Sequence, residues 1–87
     1  MLTITKRQAA ESLLLELLSE KHHIADKILF FERKYQTEFE TFEKRVTERD
    51  EDFQIWDDYM EWKAYKNMFT DVLKKIDSIK NEDFAIN

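Results

Sequence analysis

The chain has 87 residues with no glycine, proline or cysteine, a charged fraction of 38%, a hydrophobic fraction of 43% and a net charge of −5. Average usage would give roughly six glycines and four prolines. Their absence removes the tight turns and close backbone approaches on which phosphate-cradling loops, nucleophile elbows and dinucleotide folds depend. Without cysteine, disulfides, thiolate chemistry and Cys-based zinc sites are excluded, and no cofactor is expected.

These limits point to one small all-α domain over residues 1–87, built from long helices with few connections. Met1 to Glu11 lacks a signal-peptide layout, since Lys6 and Arg7 precede a run that soon meets Glu16 and Glu20. Uninterrupted apolar runs reach only three or four residues, far below the roughly 20 that span a bilayer. A cytoplasmic protein without membrane contact is expected.

The first helix is expected over residues 5–35. Thr5 to Gln8 fits a capping box, with Ile4 placed to staple onto the first turn. Ala10, Leu14, Leu17, Ile24, Ile28, Phe31 and Tyr35 then recur in steps of three and four, with Lys21 filling the missing slot. Leu13, Leu15 and Leu18 widen this stripe near its start, so that part of the helix needs more than one neighbour.

A break follows near Gln36 and Thr37. Thr37 to Glu40 fits a second capping box, and a short helix over 38–47 is expected with Phe39, Phe42 and Val46 on one side. Thr47 to Asp52 is polar and reads as the second connection, with Asp or Thr capping in place of glycine.

The third helix is expected over 52–80, on a stripe of Ile55, Tyr59, Trp62, Tyr65, Phe69, Val72, Ile76 and Ile79. That spacing favours left-handed packing of long helices, and leading acids with closing Lys74, Lys75 and Lys80 suit the helix dipole. Residues 81–87 read as a frayed tail, in which Phe84 and Ile86 could dock.

These elements form a long antiparallel helical hairpin with a short connecting helix. In a hairpin each long helix has one long neighbour, which leaves part of Leu13, Leu15, Leu18, Trp56, Met60, Met68 and Leu73 uncovered. A buried side chain of this kind contributes about 1.5–3 kcal/mol, and contiguous exposed apolar surface marks interfaces. A homodimer completing a four-helix bundle is therefore expected, with Leu13, Leu14, Leu17, Leu18, Phe69, Val72 and Ile76 at the oligomer interface.

Charge is concentrated in one place. Glu48, Asp50, Glu51, Asp52, Asp57, Asp58 and Glu61 stand against Arg49 alone, a local net of −6, while the remaining 12 acids and 13 bases leave the rest at +1. This patch reads either as a solvated helix start favoured by the dipole or as a docking surface for a basic partner. Candidate partner-binding residues are Asp52, Trp56, Asp57, Asp58, Tyr59, Glu61 and Trp62. Direct binding to nucleic acid is not expected, because the aromatics lie among acids rather than in a basic groove.

Chemistry-bearing clusters are sparse. His22 and Asp26 share a helix face beside His23, yet two ligands do not make a metal site. Asp57, Asp58 and Glu61 lack the Glu-x-x-His partner of di-metal bundles. No pocket suited to acid–base catalysis is evident, and a non-enzyme is expected. The aromatics Phe31, Tyr35, Phe39, Phe42, Phe53, Trp56, Tyr59 and Trp62 gather at the two connections, chiefly as core, with Trp56 and Tyr59 also suited to anchor an interface.

Two segments carry a resemblance. Lys34-Tyr35-x-x-x-Phe39-Glu40-x-Phe42-Glu43 is followed by Asp52-Phe53-x-x-Trp56-Asp57-Asp58-Tyr59-Met60-Glu61-Trp62-Lys63-Ala64-Tyr65. Over residues 28–75 the chain resembles a family of small all-helical prokaryotic proteins, the antitoxin-like partners of toxin–antitoxin modules, TumE-type ones included. Many members carry glycine after the tyrosine, where this chain has Gln36. The resemblance implies a non-catalytic protein that binds and neutralises a basic companion toxin. A homo-oligomeric structural or scaffold protein is the alternative.

Overall fold

Two seams of apolar side chains with a near-heptad period give the chain its shape. The computed structural model describes residues 5–48 and 52–82. It is all-helical there: α1 (Lys6–Tyr35), α2 (Phe39–Glu48) and α3 (Phe53–Glu82). Each long helix has 30 residues, about 45 Å at 1.5 Å rise per residue, and the molecule extends 59 × 24 × 18 Å. Ile4, Phe84 and Ile86, assigned a staple and docking roles above, lie outside the described residues.

Local chemistry fixes the helix ends. Gln8 N–H donates to Thr5 Oγ1 at 3.1 Å and Thr5 N–H donates to Gln8 Oε1 at 3.0 Å, the reciprocal bonds of a capping box. α1 stops at Gln36, which takes the left-handed conformation at φ 51°, ψ 44°. Glycine is the residue that most readily takes this form, and the backbone adopts it here without one. Asp52 caps α3, its Oδ1 accepting from Gln54 N–H at 2.8 Å and Ile55 N–H at 3.4 Å.

α2 starts one residue later than the second capping box would place it. Phe42 N–H donates to the Glu38 carbonyl at 3.0 Å, so Glu38, not Thr37, stands at the cap of α2. A cap is worth about 1 kcal/mol, less than burying the two phenylalanines Phe39 and Phe42, whose packing sets where the helix starts. Thr47 and Glu48 also belong to α2 rather than to the connection, and α3 runs on to Glu82, so Asn81 is helical.

α3 folds back antiparallel along α1, burying two connected cores. At the closed end Phe31, Phe39, Phe42, Val46, Tyr59 and Trp62 are buried, with Tyr35, Trp56 and Tyr65 packed against them. Towards the open end Leu17, Ile24, Ile28, Val72 and Ile76 form the second core, joined by Leu14, Tyr65, Phe69 and Ile79. Tyr65 contributes to both. Ile55, assigned to the α3 stripe above, is 36% exposed, because it lies one turn before Asp58, which already meets Lys34 and Tyr35 at the very end of α1.

The short helix lies across the closed end only. Phe39 stacks on Tyr59 at 5.9 Å, Phe42 meets Tyr35 at 4.3 Å, and both rings contact Trp62. Glu43 and Glu40 of α2 pair with Lys63 and Lys66 of α3 at 3.7 and 3.6 Å. Ten residues of α2 span about 15 Å, a third of the hairpin.

Candidate functional site

The cap and first three turns of α3 hold every partner-binding candidate, and the helix sorts them by face. Asp58, Tyr59 and Trp62 point into the hairpin and are buried. Trp56 is half-buried, its ring 5.2 Å from that of Tyr59. Asp52, Asp57 and Glu61 are exposed. Of these candidates the three acids and the edge of Trp56 reach the surface, while Asp58, Tyr59 and Trp62 support them from within.

Asp58 is a seam residue. Its Oδ2 accepts from Lys34 Nζ at 2.7 Å and from the Tyr35 hydroxyl, and its Oδ1 accepts from Gln54 Nε2 at 3.3 Å. Burial alone would raise its pKa, but hydrogen bonds from Lys34 and Tyr35, with the Lys34 charge and Gln54, hold it below the usual carboxylate range. Burial first, then the same hydrogen bond and the charges of Asp58 and Asp52, raises the Tyr35 hydroxyl well above its ordinary value. Three donors on one carboxylate make this a structural tie between α1 and α3.

A second tie joins α2 to α3. The Tyr59 hydroxyl donates to Glu43 Oε2 at 2.8 Å and accepts from Lys63 Nζ at 3.4 Å. The Tyr59 oxygen first, then Glu43, holds the Lys63 ammonium above its ordinary pKa. Both ties fix the first turns of α3, the segment that presents the exposed acids.

The exposed face of this segment is more apolar than the acid pattern suggested. Phe53 is 89% exposed and Met60 52% exposed. Phe53 was expected in the closed-end core. It lies instead on the outer face because it precedes Met60 by seven residues, a heptad register on the side away from Trp62. Together with Asp52, Asp57 and Glu61 it gives a surface of large apolar side chains edged by carboxylates. Asp57 and Glu61 form no ion pair among the described residues. The heptad spacing of Phe53 and Met60 was the signal available in the sequence.

The oligomer-interface candidates divide in the same way. Leu17, Val72 and Ile76 are buried within the hairpin, and Leu14 and Phe69 are half-buried against them. Their own chain covers them wholly or in part, whereas Leu13 and Leu18 are exposed. His22, His23 and Asp26 are exposed on α1. Among the described residues no three metal-ligating side chains converge, and no helix is long and apolar enough to cross a membrane. A groove on the flank of the hairpin away from Tyr59 is lined by His23, Lys27, Phe30, Asp58 and Glu61 among others.

Comparison of the chain with protein-family models, with curated proteins and with solved structures finds no match in any of the three.

Proposed function

We propose that the chain is a non-catalytic protein-binding module, an antitoxin-like neutraliser that docks a basic companion protein on the outer face of early α3. The observation that carries this reading is the coincidence of Phe53 and Met60, both largely exposed, with Asp57 and Glu61, which form no ion pair among the described residues, on one rigid helix. Apolar anchors supply affinity, and the local charge of −6 steers a cationic surface onto them. The ties at Asp58 and Tyr59 pre-organise the helix, so little ordering entropy opposes binding.

The test is co-expression with the product of the adjacent gene. Growth arrest caused by that product alone should be relieved by this chain, and the two should co-purify. Met60→Glu and Asp57→Lys should weaken the complex at least tenfold while leaving the helical circular dichroism intact. Arrest that persists in the presence of excess wild-type chain would sink the reading for that pair.

A further inference from the structure

A second surface with exposed leucines lies at the opposite, open end of the hairpin, on the side that α2 covers only in part. Tyr59 and Lys66 face α2, through the Phe39 ring and Glu40. Leu73 follows Lys66 by seven residues and so continues the same row past the end of α2. On α1, Tyr35 touches Phe42 of α2, and Leu14 lies three heptads earlier in that row, with Leu18 one turn beyond it. Leu14 and Phe69 thus floor a groove walled by Leu18, 38% exposed, and Leu73, 40% exposed. It is the continuation of the slot that α2 fills at the closed end.

We infer that a second copy of this chain occupies this slot, face to face, with the two hairpins antiparallel and each α2 acting as an end stop for the other copy. This goes beyond the docking surface on early α3 and does not rest on it.

Three observations select a second copy. The first is length: beyond Lys66, α3 has the 16 residues Asn67–Glu82, about 25 Å, free of α2. An identical copy brings an identical free stretch, and an α2 at either end sets the overlap. The second is area. Two helices each about 10 Å wide over that length give a flat footprint on the order of 500 Å² per copy. The ridged surface exceeds its projection, so the footprint approaches the roughly 600 Å² per partner at which stable interfaces begin.

The third is charge. Lys21 occupies a seam position on α1, is only half-exposed, and forms no ion pair among the described residues. Glu11 lies in the row of Leu18, seven residues earlier, and its contact with Arg7 at 3.7 Å is exposed and weak. Glu11 and Lys21 sit symmetrically about the Leu14–Leu18 turn. When two α1 helices run antiparallel across a two-fold axis there, Glu11 of each copy meets Lys21 of the other. Such an interface is isologous and closes at two subunits.

Sedimentation equilibrium of the wild-type chain and of Leu18→Glu, Leu73→Glu and Phe30→Glu tests this. Wild type should sediment at twice the chain mass in the micromolar range. Leu18→Glu and Leu73→Glu should each raise the dissociation constant at least tenfold, with helical circular dichroism unchanged because both sites are already exposed. Phe30→Glu, on the other flank of the hairpin, should leave it unaltered. Because the chain has no cysteine, an equimolar mixture of Leu14→Cys and Leu18→Cys chains should oxidise to a covalent dimer and Phe30→Cys should not. A monomeric wild type at 100 µM overturns the inference, and so does dissociation by Phe30→Glu with Leu18→Glu still dimeric. Loss of toxin neutralisation in Met60→Glu without loss of dimer separates failure of one surface from failure of the other.

Discussion

Lys34 in the last turn of α1 places its ammonium nitrogen 2.7 Å from Asp58 of α3, and Asp58 is the one buried charged residue among those described. The pair spans the seam at the closed end, next to the stacked rings of Phe31 and Trp62 at 5.6 Å. A polar group in an otherwise apolar seam has one satisfactory register, since any slip leaves a buried carboxylate without donors. Asp58 therefore fixes how α3 lies along α1, and with it where the outer face of early α3 points.

Asp58→Ala removes the acceptor for three donors. Hydrogen bonds to a charged group contribute about 1.5–3 kcal/mol, so we expect a loss of that order in urea unfolding. Lys34→Ala should lose less, because the lysine is 41% exposed and can turn to water. A double-mutant cycle on Lys34 and Asp58 should return a coupling above about 0.5 kcal/mol. Additive losses would mean that the pair does not act together.

The same tie gives stability a pH dependence at both extremes. Asp58 titrates lower in the folded chain than in the unfolded one, so the unfolded state takes up protons more readily as acid is added. Its contribution is complete above the ordinary carboxylate value of about 3.9 and is lost as pH falls through the lower folded value. Tyr35 is shifted the other way, so its contribution is complete below about pH 10 and is lost as pH rises beyond that. Thermal melts should show the advantage of wild type over Asp58→Asn shrinking below pH 4. Above pH 10 wild type should lose stability more steeply than Tyr35→Phe.

The fold was legible because the signals are periodic and uninterrupted. Helix-breaking residues are absent, and Ala10 to Tyr35 follow a strict three–four alternation that only a long helix buries on one side. The role of Asp58 was hidden by its neighbours. Placing Tyr59 in the α3 stripe breaks the alternation, whereas Ile55, Asp58, Trp62, Tyr65, Phe69, Val72, Ile76 and Ile79 keep it throughout. A carboxylate at a heptad position is the trace of a seam tie, but beside Asp57 and Glu61 it reads as one more surface acid. Tyr59 still faces inward because α2 adds a second neighbour, a tertiary effect that α3 alone does not encode. Thr37 misled for a related reason: capping boxes are local, and the packing of Phe39 and Phe42 overrides them.

Gln36 is the position where a single change should strengthen the fold. A non-glycine residue in the left-handed region costs about 1–2 kcal/mol, and glycine gives back part of that through its greater freedom when unfolded. Gln36→Gly should therefore stabilise by about 0.5–1 kcal/mol in denaturant titration. No gain would mean that the Gln36 side chain makes a compensating contact.

Trp62 sits where burial and hydrogen bonding oppose one another. It is fully enclosed, with Phe31 stacked on it and Phe39 edge-on at 5.3 Å, yet its indole Nε1 has no acceptor among the described residues. Leaving a buried donor unmatched costs about 1–3 kcal/mol, which the ring must recover through packing. Trp62→Ala forfeits that packing and should cost about 3–5 kcal/mol, comparable to the whole stability of so small a domain. Trp62→Phe keeps a ring in the cage while deleting the unmatched N–H, so its loss should stay below about 1.5 kcal/mol. Circular dichroism during urea unfolding separates the two: Trp62→Ala should be unfolded or nearly so in buffer, and Trp62→Phe should melt cooperatively close to wild type. A Phe variant as damaged as the Ala variant would mean that the indole N–H is bonded in solution and that Trp62 is held by polarity as well as by shape.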